Sequence, residues 1–382
     1  LVGLTAAENP TGEVFHLKQA PAGSVVVEKN VCKSVHTLRD IRSSTECIFR
    51  ASSSGFSAAD FKDGVCQIIK LETLVFNETK KVECDIKTEI RAGPDEVFLS
   101  ENFESQLAKA IYAYKNSSSG RTGSIQTLTV NETGCYRMEA LGARGGSSNS
   151  PVYTGGFGAR IGGSFNLTAG TQLSLVIGQR GSDPSESSSS GPSGGGGGTF
   201  VYRSSDNLLY LAAGGGGGGA AGFNGRNGSA GPNGSGSVGS VSVSYIGSGG
   251  ANGQPGSYGP SLSSWKGGLG AGWLGAASAR TTTCSGDRGG GISQGWVGGV
   301  AAHSNEGAVG GFGGGGGGSH SIGSSGAGGG FSGGGAGSQG TQAGGGGGSF
   351  CSGVGCSGES GGNSLSDSGL LLFGLIRYGS CA

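Results

Sequence analysis

Nine cysteines carry most of the reactive potential of this 382-residue chain: Cys32, Cys47, Cys66, Cys84, Cys135, Cys284, Cys351, Cys356 and Cys381. None stands in a CxxC pair, and His16, His36, His303 and His320 do not cluster with them, so no zinc site is expected. Disulfides formed in an oxidising compartment account for them better. Six N-x-S/T sequons, at Asn77, Asn116, Asn131, Asn166, Asn227 and Asn233, point the same way, although a chain rich in Ser and Asn also generates sequons by chance. The joint expectation is an extracellular, secreted glycoprotein. An odd cysteine count leaves at least one thiol free or paired between chains. Cys381, beside the terminal Ala382, is the one most readily offered to a neighbour. Cys351 and Cys356 are five residues apart and join only across a tight loop, so pairing with Cys284 or Cys381 is an equal alternative.

Other chemistry finds little support. There is no GxSxG, HExxH, Walker-type or dinucleotide motif, and the glycine runs lack the flanking Lys-Ser/Thr of a phosphate cradle. No catalytic, cofactor-binding or metal-binding residue is assigned, and no cofactor is expected. Asp60 and Asp63 beside Lys62 read as a solvated turn; Asp183 with Glu186 would hold calcium only if further oxygens converged. Lys and Arg together number 25, as do Asp and Glu, and only 13% of residues are charged, which argues against a nucleic-acid groove or an electrostatically held membrane surface. No apolar run is long enough for a membrane span. The chain begins at Leu1 without Met or an apolar leader, as a processed protein or a trimmed fragment would.

The element that must position everything else is the stretch 211–350, where 55 of 140 residues are glycine, with runs at 214–219, 313–318 and 344–348. Collagen is excluded because Gly-X-Y is not kept at strict period three. A flexible spacer and a bundle of polyproline-II helices remain. In such a bundle, backbones bare of side chains approach closely and satisfy one another's N–H and C=O groups. Leu211, Tyr245, Trp265, Trp273, Leu274, Trp296, Val297, Phe312 and Phe331 favour the bundle, since a solvated linker has little use for large apolar residues.

Residues 1–95 read as a small cystine-stabilised α+β domain. Ser43 with Glu46 makes a capping box for a short helix carrying Cys47. Strands are expected at 25–27, 65–69, 74–76 and 82–86, with Asp63-Gly64 as a hairpin turn. A connecting helix or linker covers 96–120, where Phe103, Leu107, Ile111 and Tyr114 recur at helical spacing. From 121 to 382 the period changes to two. Strands are expected at 125–130 and 135–140, flanking a hairpin-like turn, and at 163–167, 172–177, 199–203, 208–211, 240–246 and 370–378. Val241, Val243 and Tyr245 share one face. The segment 181–198 is a strand-to-strand loop, mobile at 187–190. Strands on both sides of the insert imply a mostly β fold, a sandwich closed by the C-terminus.

Two resemblances sharpen this reading. The text VCKSVHTLRDIRSSTECIFRASSSGFSAADFKDGVCQI, within about 25–90, resembles the PAN/apple family, in which a helix is tied to a small antiparallel sheet. The resemblance implies bonds Cys47–Cys66 and Cys32–Cys84 and, from what family members bind, a protein or glycan ligand. The blocks CYRMEALGARGG, GGSFNLTAGTQLSLVIGQRG, LLYLAAGGGGGG and GGFGGGGGGSHSIGSSGAGGG, over about 125–378, resemble the extracellular glycine-rich region of the anaplastic lymphoma kinase and leukocyte tyrosine kinase receptors. That resemblance implies a tumour-necrosis-factor-like jelly roll carrying an inserted polyproline-II bundle. The chain shows no kinase and no growth-factor-like module after the sheet, which sets receptor signalling apart from the shared fold.

The expected role is structural and not enzymatic: a secreted glycoprotein whose copies join head to tail into an extracellular filament or matrix. The alternative is the ligand-binding ectodomain of a receptor related to anaplastic lymphoma kinase. A secreted glycan-binding module is the weaker third.

Overall fold

The structure, a computed structural model, describes residues 3–6, 17–20, 32–38, 58–62, 65–71, 112–116, 120–148, 153–184, 191–239, 242–260, 264–302, 308–320, 323–364, 366–376 and 381. The chain divides into two compact units, residues 1–113 with 374–379 and residues 114–373 with 380–382.

In the first unit, β1 (Gly3–Ala6) pairs antiparallel with β2 (Leu17–Ala20). β3 (Cys32–Leu38), β4 (Ala58–Lys62) and β5 (Val65–Leu71) make an antiparallel sheet in the order β3-β5-β4. Lys62 stands opposite Val65, as a two-residue connection requires. The helix expected after Ser43, the strands at 25–27, 74–76 and 82–86, and the bonds expected among Cys32, Cys47, Cys66 and Cys84 lie outside the described residues. So does most of the connecting helix, but its end is corrected: Tyr112–Tyr114 is a strand, β6. Two aromatics flanking Ala113 also fit a period of two, and pairing with a sheet overrides the apolar spacing.

Eleven further strands follow in the described residues: β7 (Gln126–Thr129), β8 (Gly134–Leu141), β9 (Gly158–Leu167), β10 (Gln172–Val176), β11 (Thr199–Arg203), β12 (Leu209–Ala213), β13 (Val238–Gly239), β14 (Gln342–Ala343), β15 (Phe350–Cys351), β16 (Val354–Asn363) and β17 (Leu370–Ile376). Two five-stranded sheets run in the orders β15-β12-β11-β10-β7 and β16-β9-β8-β17-β6. In the first sheet Leu175, Val201 and Leu211 stand opposite one another on one face, and Val176, Phe200 and Ala212 on the other. All six are fully buried, so both faces are covered. β12 packs against β8 and β9 of the second sheet, and Tyr210 meets Phe165 edge-on at 5.9 Å. The opposite face is covered by aromatics from the glycine-rich stretch: Trp296 and Trp273 stack on Phe200 with centroids at 4.1 and 6.1 Å. Trp296 sits in the left-handed region at φ 62 and is fully buried.

Three expectations need correction here. The segments at 125–130 and 135–140 are not a hairpin: β7 pairs with β10 in one sheet and β8 with β9 in the other. The intervening residues bond to the β9–β10 turn, with Val130 N donating to Thr171 O and Gly170 N to Val130 O. The strand expected at 240–246 is a 3-10 turn at Val243–Tyr245, preceded by β13, and Val243 is 82% exposed. Alternating Ser and Val imitate a strand, while the N–H groups of Tyr245 and Ile246 close locally on Ser242 and Val243. Residues 191–198 are not a surface loop but are fully buried, because bare glycine backbone is taken into the packing; residues 185–190 lie outside the described residues.

The runs 214–219, 313–318 and 344–348 are buried and belong to no helix or strand. Their amides are consumed by neighbouring runs at intervals of three. Gly215 and Gly218 donate to Gly329 and Gly326, Gly216 and Gly219 to Ala143 and Gly146, and Gly344 and Gly347 to Gly218 and Gly215. Gly156 and Ala159 donate to Gly217 and Gly214. Three residues per turn is the repeat of polyproline II. Glycine is required because a β-carbon on Gly217 would be driven into the carbonyl of Gly344, and one on Gly214 into that of Gly347. The glycine body therefore draws in 142–146, 153–159 and 194–198, well before the stretch at 211–350 that composition marks out.

Candidate functional site

Serine and asparagine side chains set among the glycine runs are the body's polar fasteners. Where a run leaves the sheet, serine replaces glycine and its hydroxyl closes a gap: Ser349 Oγ accepts from Gly214 N at 3.0 Å and donates to Ser229 O at 2.6 Å. Ser325 Oγ accepts from Ser193 N and donates to Gly219 O at 2.7 Å. Asn224 and Asn227 perform the same task on the chain at 153–159. Asn224 Oδ1 accepts from Thr154 N at 2.8 Å and Asn227 Oδ1 from Phe157 N at 2.9 Å. The returning bonds run from Gly225 N to Thr154 O and from Gly228 N to Phe157 O. Two identical rings thus recur one three-residue turn apart.

Cys381 falls differently from the sequence expectation, while the bond made by Cys351 is one of the pairings that reading left open. Cys381 is not a thiol on offer to a neighbour: it is buried and bonded to Cys135, with Cα atoms 5.5 Å apart. The reason is topological, since β17 lies next to β8 and returns the chain end to the start of that strand. Cys351 is bonded to Cys356, joining β15 of one sheet to β16 of the other, with Cα atoms 6.1 Å apart. Gly163 makes room for this bridge, as a β-carbon there would lie 2.7 Å from Cys351 Sγ. The free thiol among the described residues is the half-buried Cys284.

Of the sequon asparagines, Asn131, Asn166, Asn227 and Asn233 are exposed and Asn116 is half-buried; Asn77 lies outside the described residues. Asn116 Nδ2 donates to Ser124 O at 3.3 Å. Asn166 stands opposite Cys135 in the β8–β9 ladder. An open hollow of about 530 Å³ at the turns after β9 and β11 is lined by Thr168–Gln172 and Arg203–Ser205. At its edge Arg203 grips Asp206 through two bonds of 2.8 and 2.6 Å, and this hydrogen bonding holds the Asp206 carboxyl down to about 2.

No group of three or more metal-ligating side chains occurs among the described residues. Asp183 is committed to Arg180 at 2.7 Å and to Ser147 N at 2.6 Å, and Glu186 lies outside the described residues. No helix of the described residues is long and apolar enough to cross a membrane. β16, the terminal strand of its sheet, is an open surface among the described residues, with 354–360 all exposed. Its far end is engaged, with Gly361 N donating to Gly228 O. Sequence reasoning could not find this edge, because VGCSGESGGN carries none of the β-branched alternation that marks a strand. No family model matches the chain, and no curated protein matches it.

Proposed function

We propose that this chain is a secreted structural glycoprotein whose copies assemble outside the cell into a filament or matrix. On this reading the two sheets are a jelly-roll sandwich, and the glycine body is an inserted polyproline-II bundle of the kind found in the anaplastic lymphoma kinase family. The observation that carries it is the glycine body, with its buried runs fastened to one another at intervals of three. Ordering glycine costs roughly 0.5–1 kcal/mol per residue relative to alanine. A chain that needed only a spacer gains nothing from meeting that cost dozens of times over, whereas a load-bearing unit gains stiffness. A net charge of zero leaves copies free of mutual repulsion. β16 offers backbone for a neighbour to extend, with Glu359 its one charged residue.

The test is the state of the purified protein as concentration rises, followed by sedimentation and electron microscopy. Regular polymers are expected, and Ser357→Lys on β16 is expected to abolish them without unfolding the protein. A stable monomer at high concentration overturns assembly and favours the recognition ectodomain.

A further inference from the structure

We propose that Asn131 and Asn166 carry N-linked glycans and that Asn227, which stands in a sequon of its own, does not. The inference rests on the extracellular reading above and adds to it which asparagines serve as acceptors.

The argument begins at Asn227. Its side chain is exposed, so accessibility alone would make it an acceptor. Its carboxamide is nevertheless spoken for. Oδ1 accepts from Phe157 N at 2.9 Å, and Nδ2 occupies the place that a β-carbon on Gly361 would take, at φ 67 on β16. Asn224, one turn earlier, makes the same ring with Thr154 and is followed by Gly225-Arg226, which is no sequon. An asparagine at 227 is thus explained by the fastening repeat, with Ser229 completing the sequon by coincidence. Transfer of a glycan would form a bond from Nδ2 to the anomeric carbon of a lipid-pyrophosphate-linked oligosaccharide; the carbon–phosphate oxygen bond breaks, the lipid pyrophosphate leaves and one amide proton is lost. Transfer precedes folding, so a chain glycosylated on Nδ2 would have to house the glycan against the backbone of Gly361, between β16 and the glycine body, and would fail to close that contact; the folded, secreted protein is therefore the population bare at Asn227.

Asn131 and Asn166 stand in contrast. Both are exposed, and both belong to the end of the second unit where β8 starts and β9 finishes. Around them, fastening falls to other groups: Thr133 Oγ1 accepts from Ala169 N at 2.9 Å, and Val130 exchanges backbone bonds with Gly170 and Thr171. Glycans at these two positions would flank the hollow at Thr168–Gln172 and keep that end out of contacts between copies, leaving β16 as the surface for assembly.

The test is glycopeptide mapping of the full chain isolated from its source, together with Asn→Gln variants secreted from eukaryotic cells. N131Q and N166Q are each expected to lose one glycan's mass; N227Q is expected to lose none. N227A is expected to lower the melting temperature, and N227D, which keeps an acceptor oxygen for Phe157 N while abolishing the sequon, to restore it. A glycan on Asn227, or bare Asn131 and Asn166 in protein modified at other sequons, overturns the assignment and leaves the extracellular reading standing. Bare asparagine at all six sequons overturns both.

Discussion

At the scale of single residues, the glycine body depends on what is missing from each α-carbon. Gly217 N donates to Arg226 O, its own carbonyl accepts from Gly156 N, and a methyl group on it would meet the carbonyl of Gly344. No flexible side chain stands there to move aside; the obstacle is backbone already bonded to another run. Gly217→Ala is therefore expected to destabilise the protein by about 1–3 kcal/mol or more, the range for overpacking a close-packed interior. Gly231 supplies the control: a β-carbon there meets only Ser229 Oγ at 3.5 Å, an ordinary contact. Gly231→Ala should be neutral or slightly stabilising, since it reduces only the freedom of the unfolded chain. Denaturant unfolding of the two variants checks the contrast, and equal losses would show that the runs are looser than their bonding implies.

At the scale of elements, the two disulfides hold chain segments of very different separation. Cys135 and Cys381 are 246 residues apart, Cys351 and Cys356 only five. If bridges act chiefly by restricting the unfolded chain, the first is worth about 5 kcal/mol and the second about 2. The pair Cys135→Ser/Cys381→Ser is thus expected to lose more stability than Cys351→Ser/Cys356→Ser, measured as the shift in denaturation midpoint. The reverse order would mean that the short bridge, which ties the ends of two sheets across Gly163, acts on the folded state. Strands were legible in the sequence where apolar residues alternate or crowd, as in β10, β11 and β17, because their side chains face a core. Their partners were not. The turn at 130–134 has the residues of a hairpin, yet β7 and β8 part to different sheets, since that choice depends on where Leu173 and Phe165 find cover. Likewise, nothing in ALGARGG or GPSGGGGG announces which run each amide will meet, because glycine has no side chain with which to encode register.

At the scale of the whole second unit, sheet and glycine body are continuous along the chain. β12 runs directly into 214–219, β8 into 142–146, and 194–198 directly into β11. The fastening bonds join distant segments: Ser193 to Ser325 across 132 positions, Gly214 to Ser349 across 135, and Ser182 to Val309 across 127. Each such contact requires closing a long loop before any bond forms, and a topology of this kind folds slowly. The buried Trp296, stacked against Phe200, reports when the body closes on the sheet. Refolding followed by its fluorescence is expected to be slower than that of a helical protein by orders of magnitude, and faster with the Cys135–Cys381 bridge intact than after its removal, because the bridge closes the longest loop beforehand. Unfolding of the second unit should show one transition by both tryptophan fluorescence and backbone circular dichroism, since β8, β11 and β12 cannot leave without pulling a glycine run from its neighbours. Equal refolding rates with and without the bridge would place its closure after the rate-limiting step, and two separate transitions would mean that the body and the sheets hold themselves together independently.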